Sequence, residues 1–180
     1  LSYWPNTDYY NIWLVYKING VNQMTATGSY TAGYAYFPFP GYSAIDGTVM
    51  LSDQLQRGNS VITHELGHAF NLYHVFEGDD PTNSGPPYVC PSAPGDFCAD
   101  TEPIKRTLFT CPPDTGLNTC NAAPYFLYNR TQHNFMDYSS CKDRFTPDQR
   151  TRVWGALMNV NACRSSLISS LGATALLTTP

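Results

Sequence analysis

Residues 64–74 read His64-Glu65-Leu66-Gly67-His68-Ala69-Phe70-Asn71-Leu72-Tyr73-His74. Three of the chain's four histidines fall in this stretch. His64 and His68 are four apart, so a helix carries both on one face, one turn above the other. Two imidazoles so placed can bind one Zn²⁺ at about 2.0–2.1 Å. Glu65, between them, suits the general base that takes a proton from a zinc-bound water. A helix that simply ran on would turn His74 away, so the chain has to change direction after His68. Asn71 is the non-glycine residue that best tolerates positive φ and a left-handed helix end. A His-Glu-x-x-His on a surface helix can arise by chance. The third histidine at ligand spacing and the turn-former between them argue against that here. Leu66, Ala69, Phe70 and Leu72 read as the core-facing side of the same helix.

Further along, residues 134–138 read Asn134-Phe135-Met136-Asp137-Tyr138. Standing alone, Met136 is an ordinary core methionine and Tyr138 a half-buried tyrosine. Joined to the zinc helix, the pair resembles the metzincin proteases. In those enzymes the chain passes beneath the zinc in a tight turn built on a methionine. In several of them a tyrosine reaches the zinc, or swings off it to hydrogen-bond the transition state. The resemblance gives Met136 the structural role and Tyr138 the catalytic one. Families with this pattern normally place glycine where Asn71 stands, and asparagine keeps the conformational requirement.

Within the metzincins the chain is similar to the pappalysin family, in its bacterial cytophagalysin branch. The segments that carry the likeness are Asn11-Ile12-Trp13-Leu14-Val15, Gly33-Tyr34-Ala35-Tyr36-Phe37-Pro38, Asp46-Gly47-Thr48-Val49 and His74-Val75-Phe76-Glu77-Gly78. Gly95-Asp96, Asp100-Thr101 and Phe145-Thr146-Pro147-Asp148-Gln149 extend it, so that it runs from residue 9 to residue 160 or so. It implies an α+β metzincin catalytic domain over residues 1–180. The upper part, 1–74, would hold a mixed sheet and the active-site helix. The lower part, 75–180, would be irregular and disulfide-rich, with the methionine turn and a C-terminal helix. Metzincins usually carry a backing helix before the first strand, which is here either absent or outside this chain. The resemblance also implies a prodomain, removed from a mature or trimmed product that opens at Leu1 without a signal peptide.

The function so implied is a secreted zinc endopeptidase, monomeric and made as a proenzyme, acting on extended protein or peptide substrates. His64, His68 and His74 would hold the zinc, Glu65 would activate its water, and Tyr138 would help stabilise the oxyanion. A structural Ca²⁺ is implied after the zinc helix, with the Asp96 side chain and the carbonyls of Cys98 and Thr101 as ligands. The competing account has Asp96 and Asp100 capping turns. Glu77, Asp79 and Asp80 either join that site or are plain solvated charge. Alignment on the family's bridges pairs Cys90 with Cys120 and Cys111 with Cys141, which leaves Cys98 with Cys163. Some relatives prefer a basic residue after the cleaved bond and use an acid beyond the methionine turn. Here Ser139, Ser140 and Cys141 follow Tyr138, and Asp143 lies between Lys142 and Arg144. A broader or more apolar preference follows, unless Asp143 or Asp137 reaches the pocket.

The composition fits. Six cysteines all lie after the zinc helix, none in C-x-x-C spacing, which reads as disulfides in an oxidising compartment rather than a structural zinc or redox motif. A net charge of −4 argues against nucleic acid or an anionic membrane as the main partner. No run of about 18 apolar residues is present to span a membrane. Asn129-Arg130-Thr131 is a glycosylation sequon that matters only in a eukaryotic host.

Strands are predicted over Tyr10–Ile18, Tyr30–Phe37 and Gly47–Leu51. The zinc helix should start at Asn59 or Ser60 and end near Asn71. Residues 75–145 form a long irregular tract, for which cysteines supply order. Thr146-Pro147-Asp148-Gln149 is a capping box, and the helix it opens carries Val153, Trp154, Leu157 and Met158 at core-type spacing. His133, beside the methionine turn, reads as structural or supporting. Two other readings stay open. An astacin-like or other metzincin would still be a protease. A zinc-bearing binding module without turnover would have lost its base, which Glu65 argues against.

Overall fold

The computed structural model describes residues 3–41, 44–92, 95–125, 130–159, 161 and 163–169. Its elements are strands β1 (Asn11–Val15), β2 (Gly33–Ala35) and β3 (Gly47–Leu51), then helices α1 (Val61–Ala69), α2 (Pro147–Met158) and α3 (Ser166–Ser169). Single 3-10 turns occupy Ser52–Gln54 and Thr131–His133. The chain divides into two compact units, residues 1–71 with 153–180, and residues 72–152. No described helix is long and apolar enough to cross a membrane. Asn129 of the sequon lies outside the described residues.

In the first unit the sheet order is β1-β3-β2, with β1 parallel and β2 antiparallel to β3. Central β3 has the predicted bounds, and its Thr48, Met50 and Leu51 are buried. Both outer strands are shorter than predicted. They lie at the sheet's edges, where apolar residues such as Ile12 and Leu14 stay exposed and do not enforce pairing. Helix α1 packs on β2 and β3. Its first turn is capped by Asn59, whose Oδ1 accepts from Val61 N at 2.8 Å, while Ser60 makes no side-chain cap. Beyond its end Asn71 takes φ 74°, the left-handed turn that the sequence required.

The described residues from Val153 onward group by contact with residues 1–71. Arg164 is the reason. It is buried, and its guanidinium clasps the buried Asp46 through both terminal nitrogens, Nη2 to Oδ1 at 2.7 Å and Nη1 to Oδ2. Its Nε donates to Ala69 O at 2.8 Å and its Nη2 to Tyr36 O at 3.2 Å. The Tyr10 ring lies 4.7 Å from the guanidinium, a cation–π contact.

The second unit is mostly irregular. Bridges Cys90–Cys120 and Cys111–Cys141 cross-link it, each closing a separation of 30 residues. The pairing of Cys98 with Cys163 is corrected: both are buried free thiols. Cys163 belongs to the first unit, where its amide donates to Phe39 O at 3.2 Å and its sulfur accepts from Arg164. Cys98 is wound into a turn of the second unit, where burial pushes its thiol up to about 12, an unreactive state.

The capping box of α2 closes reciprocally. Gln149 N donates to Thr146 Oγ1 at 3.3 Å and Thr146 N donates to Gln149 Oε1 at 3.0 Å. Of the apolar face expected on this helix, Val153 and Leu157 are half-buried, and only Trp154 and Met158 are corrected. Trp154 is 51% exposed and Met158 65% exposed, while Gln149 and Ala156 are buried. The more buried stripe runs through Gln149, Val153, Ala156 and Leu157, and a glutamine heads it.

Candidate active site

Helix α1 places His64, Glu65 and His68 together, all buried. The two imidazoles stand nearly perpendicular, 87° apart, with centroids at 4.8 Å. The Phe37 ring rests 5.4 Å from that of His68. Glu65 is set against β2, where Gly33 leaves it room. A Cβ on Gly33 would lie 3.0 Å from Glu65 Cγ and 3.2 Å from its Oε1, so any side chain there would press on the carboxylate.

Past the left-handed turn, His74 lies in the second unit. Its ring stacks on Phe76 at 4.5 Å, and Tyr138 meets it edge-on at 5.2 Å. Glu77 Oε2 lies 3.8 Å from His74 Nδ1. Three imidazoles are a donor set that suits zinc, and His64, His68 and His74 together could hold a metal ion.

Met136 is fully buried, and its carbonyl accepts from Val75 N at 3.3 Å, one residue after His74. The methionine turn is pinned by Asn134. Its Oδ1 accepts from Met136 N at 2.9 Å and its carbonyl from Asp137 N at 3.0 Å. Asn134 in turn exchanges two side-chain bonds with Gln149, at 2.8 and 3.1 Å. One glutamine therefore caps α2 and anchors the turn.

A family model described as Pregnancy-associated plasma protein-A matches residues 1–158. The chain belongs to the pappalysin family of metalloproteases. An extracellular metalloprotease of Colletotrichum graminicola is 36% identical over 136 residues, covering 68% of this chain and 43% of that protein. Human pappalysin-1 is 36% identical over 96 residues, which are 50% of this chain and 6% of that one. The chain thus spans less than half the length of these curated relatives. Mature mirolysin of Tannerella forsythia, in complex with a cleaved peptide, superposes with a TM-score of 0.64 at 24% identity. That match covers 92% of this chain and 58% of mirolysin. Mirolysin in complex with compound 9 gives 0.66 at 23% identity over 99% of this chain and 62% of the other. These likenesses establish a mirolysin-like metzincin fold, with a small mixed sheet and helices.

The loop that the pappalysin resemblance pointed to for calcium closes on Asp96. Its Oδ1 accepts from Cys98 N at 3.1 Å and from Thr101 Oγ1 at 2.7 Å, and Thr101 Oγ1 also reaches Cys98 O at 2.9 Å. The other oxygen, Oδ2, is buried without a hydrogen-bond partner, and burial raises the carboxyl to about 6. Asp100 does other work, accepting from Thr146 Oγ1 at 2.6 Å and Asp148 N at 2.9 Å and so tying the loop to the start of α2. Asp79 grips Arg106, and Asp80 caps the turn at Ser84 and Gly85.

Neither acid beside the methionine turn is available as a free charge. Asp137 is fully buried, its Oδ2 accepts from Thr107 Oγ1 at 2.8 Å, and burial pushes its carboxyl up to about 6. Asp143 accepts from Arg144 Nη2 at 3.0 Å, and that guanidinium holds its carboxyl below the usual range. His133 turns to Asp114, with Nε2 2.9 Å from Oδ1.

Of the residues that build the site, the sequence did not signal Gly33 as the seat of Glu65, Phe37 as the neighbour of His68, or Arg164 as the anchor of α1. The first two lie in a segment legible as a strand and as family-like, with no role marked for either residue. Arg164 is a lone cation in a polar tail, and only its partner Asp46, in a family-like segment, carried any hint.

Proposed function

We propose that this chain is the catalytic part of a secreted zinc endopeptidase that cleaves extended protein or peptide substrates. The observation that carries the proposal is an intact Glu65, buried between two helical imidazoles and given room by Gly33. A binding module would not need to keep that carboxylate. His64, His68 and His74 are the metal's ligands. Zinc held by them would supply an acidified water and polarisation of the scissile carbonyl. Glu65 accepts the proton of the attacking water and delivers it to the leaving amine. Tyr138, edge-on to His74, donates its hydroxyl to the oxyanion. Strand β2 borders β3 and holds Gly33 against Glu65, so its outer edge can take an extended peptide by backbone pairing. Secretion accords with the extracellular relatives, and manufacture as a proenzyme with the family.

His74→Ala should lose zinc affinity by more than the roughly 10–100-fold typical of losing a residue that merely supports a ligand. Metal analysis after dialysis at limiting zinc checks it, alongside a peptidase assay with and without chelator. Full zinc occupancy in the variant would remove His74 from the ligand set.

We further propose that the Asp96 loop takes calcium, with Asp96 and the carbonyls of Cys98 and Thr101 as ligands. The buried, partnerless Oδ2 is the feature that a cation answers. Saturating calcium at a hundred times its Kd stabilises by about 2.7 kcal/mol. Its removal should therefore lower Tm by roughly 5–10 °C in a domain of this size. An unmoved Tm, with zinc shown to be retained, would leave Asp96 as a turn cap.

A further inference from the structure

Residues 74–79 lead away from the third histidine in two successive turns. Glu77 N donates to His74 O at 2.9 Å, and Asp79 N donates to Phe76 O at 3.0 Å. Phe76 and Asp79 are both buried. A carboxylate taken out of water needs a partner, and Asp79 finds one in Arg106 of the same unit. Arg106 N donates to Asp79 Oδ2 at 3.0 Å and Arg106 Nε to the same oxygen at 2.9 Å, while Nη2 reaches Oδ1. This grip brings the guanidinium back over the Phe76 ring, 4.7 Å from its centroid, and to 4.2 Å from the centroid of Tyr88. Phe76, Asp79 and Arg106 thus close a circuit of contacts. Two groups of the site lean on the ring at its centre. His74 stacks on Phe76 at 4.5 Å with 10° between the planes, and Tyr138 meets Phe76 at 4.8 Å and 64°.

We propose that Arg106 is a positioning residue for this site, because it holds the Phe76 ring against which His74 and Tyr138 both lean. This rests on the reading of His74 as a zinc ligand and deepens it. A phenyl ring has no hydrogen-bonding group, so packing alone fixes its plane. A guanidinium is planar, and it can cover an aromatic ring while its nitrogens keep a forked grip on a carboxylate. Arg106 does both at once, between Phe76 and the half-buried Tyr88. With the ring free to tilt, the imidazole stacked on it would lose the support that sets its own plane, and Tyr138 the surface it rests on. Residues that orient a metal ligand from outside govern affinity or activity by roughly 10–100-fold. A lysine at this position could match the charge of Arg106 but not its plane.

The test is Arg106→Lys, with Tyr88→Leu as a milder change that opens the stack and leaves the ion pair. Three quantities are read on each: the zinc dissociation constant by competition with a chromogenic chelator, kcat and KM on one peptide at saturating zinc, and the denaturant midpoint of the metal-free protein. Arg106→Lys should weaken zinc binding about tenfold and lower kcat about tenfold with KM little changed. Tyr88→Leu should shift both in the same direction by less, and it decides the matter by the same criteria if Arg106→Lys does not fold. A lower midpoint with zinc affinity and kcat unmoved would leave Arg106 as a structural ion pair and overturn the proposal. His74→Ala separates the two readings. In that background Arg106→Lys should weaken zinc no further, because the ligand it positions is gone. An equal second loss would overturn the proposal and leave His74 a ligand. Full zinc occupancy in His74→Ala alone would overturn both.

Discussion

Glu65→Gln is expected to keep zinc and lose about 10²–10⁴-fold in kcat, the range that positioned acid–base groups contribute. Glutamine has the shape of glutamate, so it fits the space that Gly33 leaves beside Glu65 Cγ, and α1 keeps both its histidines in place. What it lacks is a lone pair basic enough to take the water's proton. No other carboxylate belongs to α1, whose sequence is VITHELGHA. Glu77, the acid 3.8 Å from His74 Nδ1, lies outside α1. Zinc stoichiometry and kcat measured on the same preparation decide the matter. A zinc-loaded variant with near-normal kcat would place the base elsewhere.

Arg164→Met should destabilise the fold by about 3–5 kcal/mol, the usual result of leaving one partner of a buried ion pair alone. Asp46 would keep its charge in the interior, and the carbonyl of Ala69, at the last residue of α1, would lose its donor. Because Ala69 follows His68 directly, zinc affinity should fall as well. Lysine would not rescue the site, since one ammonium cannot replace the fork that serves Asp46, Ala69 O and Tyr36 O together. Denaturant unfolding of the metal-free protein measures the loss. Asp46→Asn with Arg164→Met should cost clearly less than the sum of the two single changes. Additive losses would mean that the pair does not act as a unit.

The zinc helix, its left-handed exit at Asn71 and the capping box of α2 were legible because each rests on local chemistry within a few residues. Strand β3 was legible because a central strand is buried on both sides, and its residues say so. The outer strands were overestimated because aromatic and β-branched residues at a sheet's edge satisfy the composition rule without satisfying the pairing. Trp154 and Met158 misled for a related reason. Apolar spacing predicts all four apolar residues on the inner face of α2, yet that face is led by Gln149, engaged with Asn134, and of the four only Val153 and Leu157 share it. Cys98 and Cys163 were paired by elimination, and elimination carries no geometry. Arg164 lies 118 residues from Asp46 in sequence, and a lone arginine at that distance offers no pattern to read.

The two disulfides interlace, because Cys111 falls between Cys90 and Cys120 while Cys120 falls between Cys111 and Cys141. A single cut anywhere from Cys90 to Cys141 therefore always leaves at least one bridge spanning the break. A molecule nicked there by a neighbouring protease stays in one piece until it is reduced. In a crowd of peptidases the half of the chain with the least regular structure is thus the half that can be broken without coming apart.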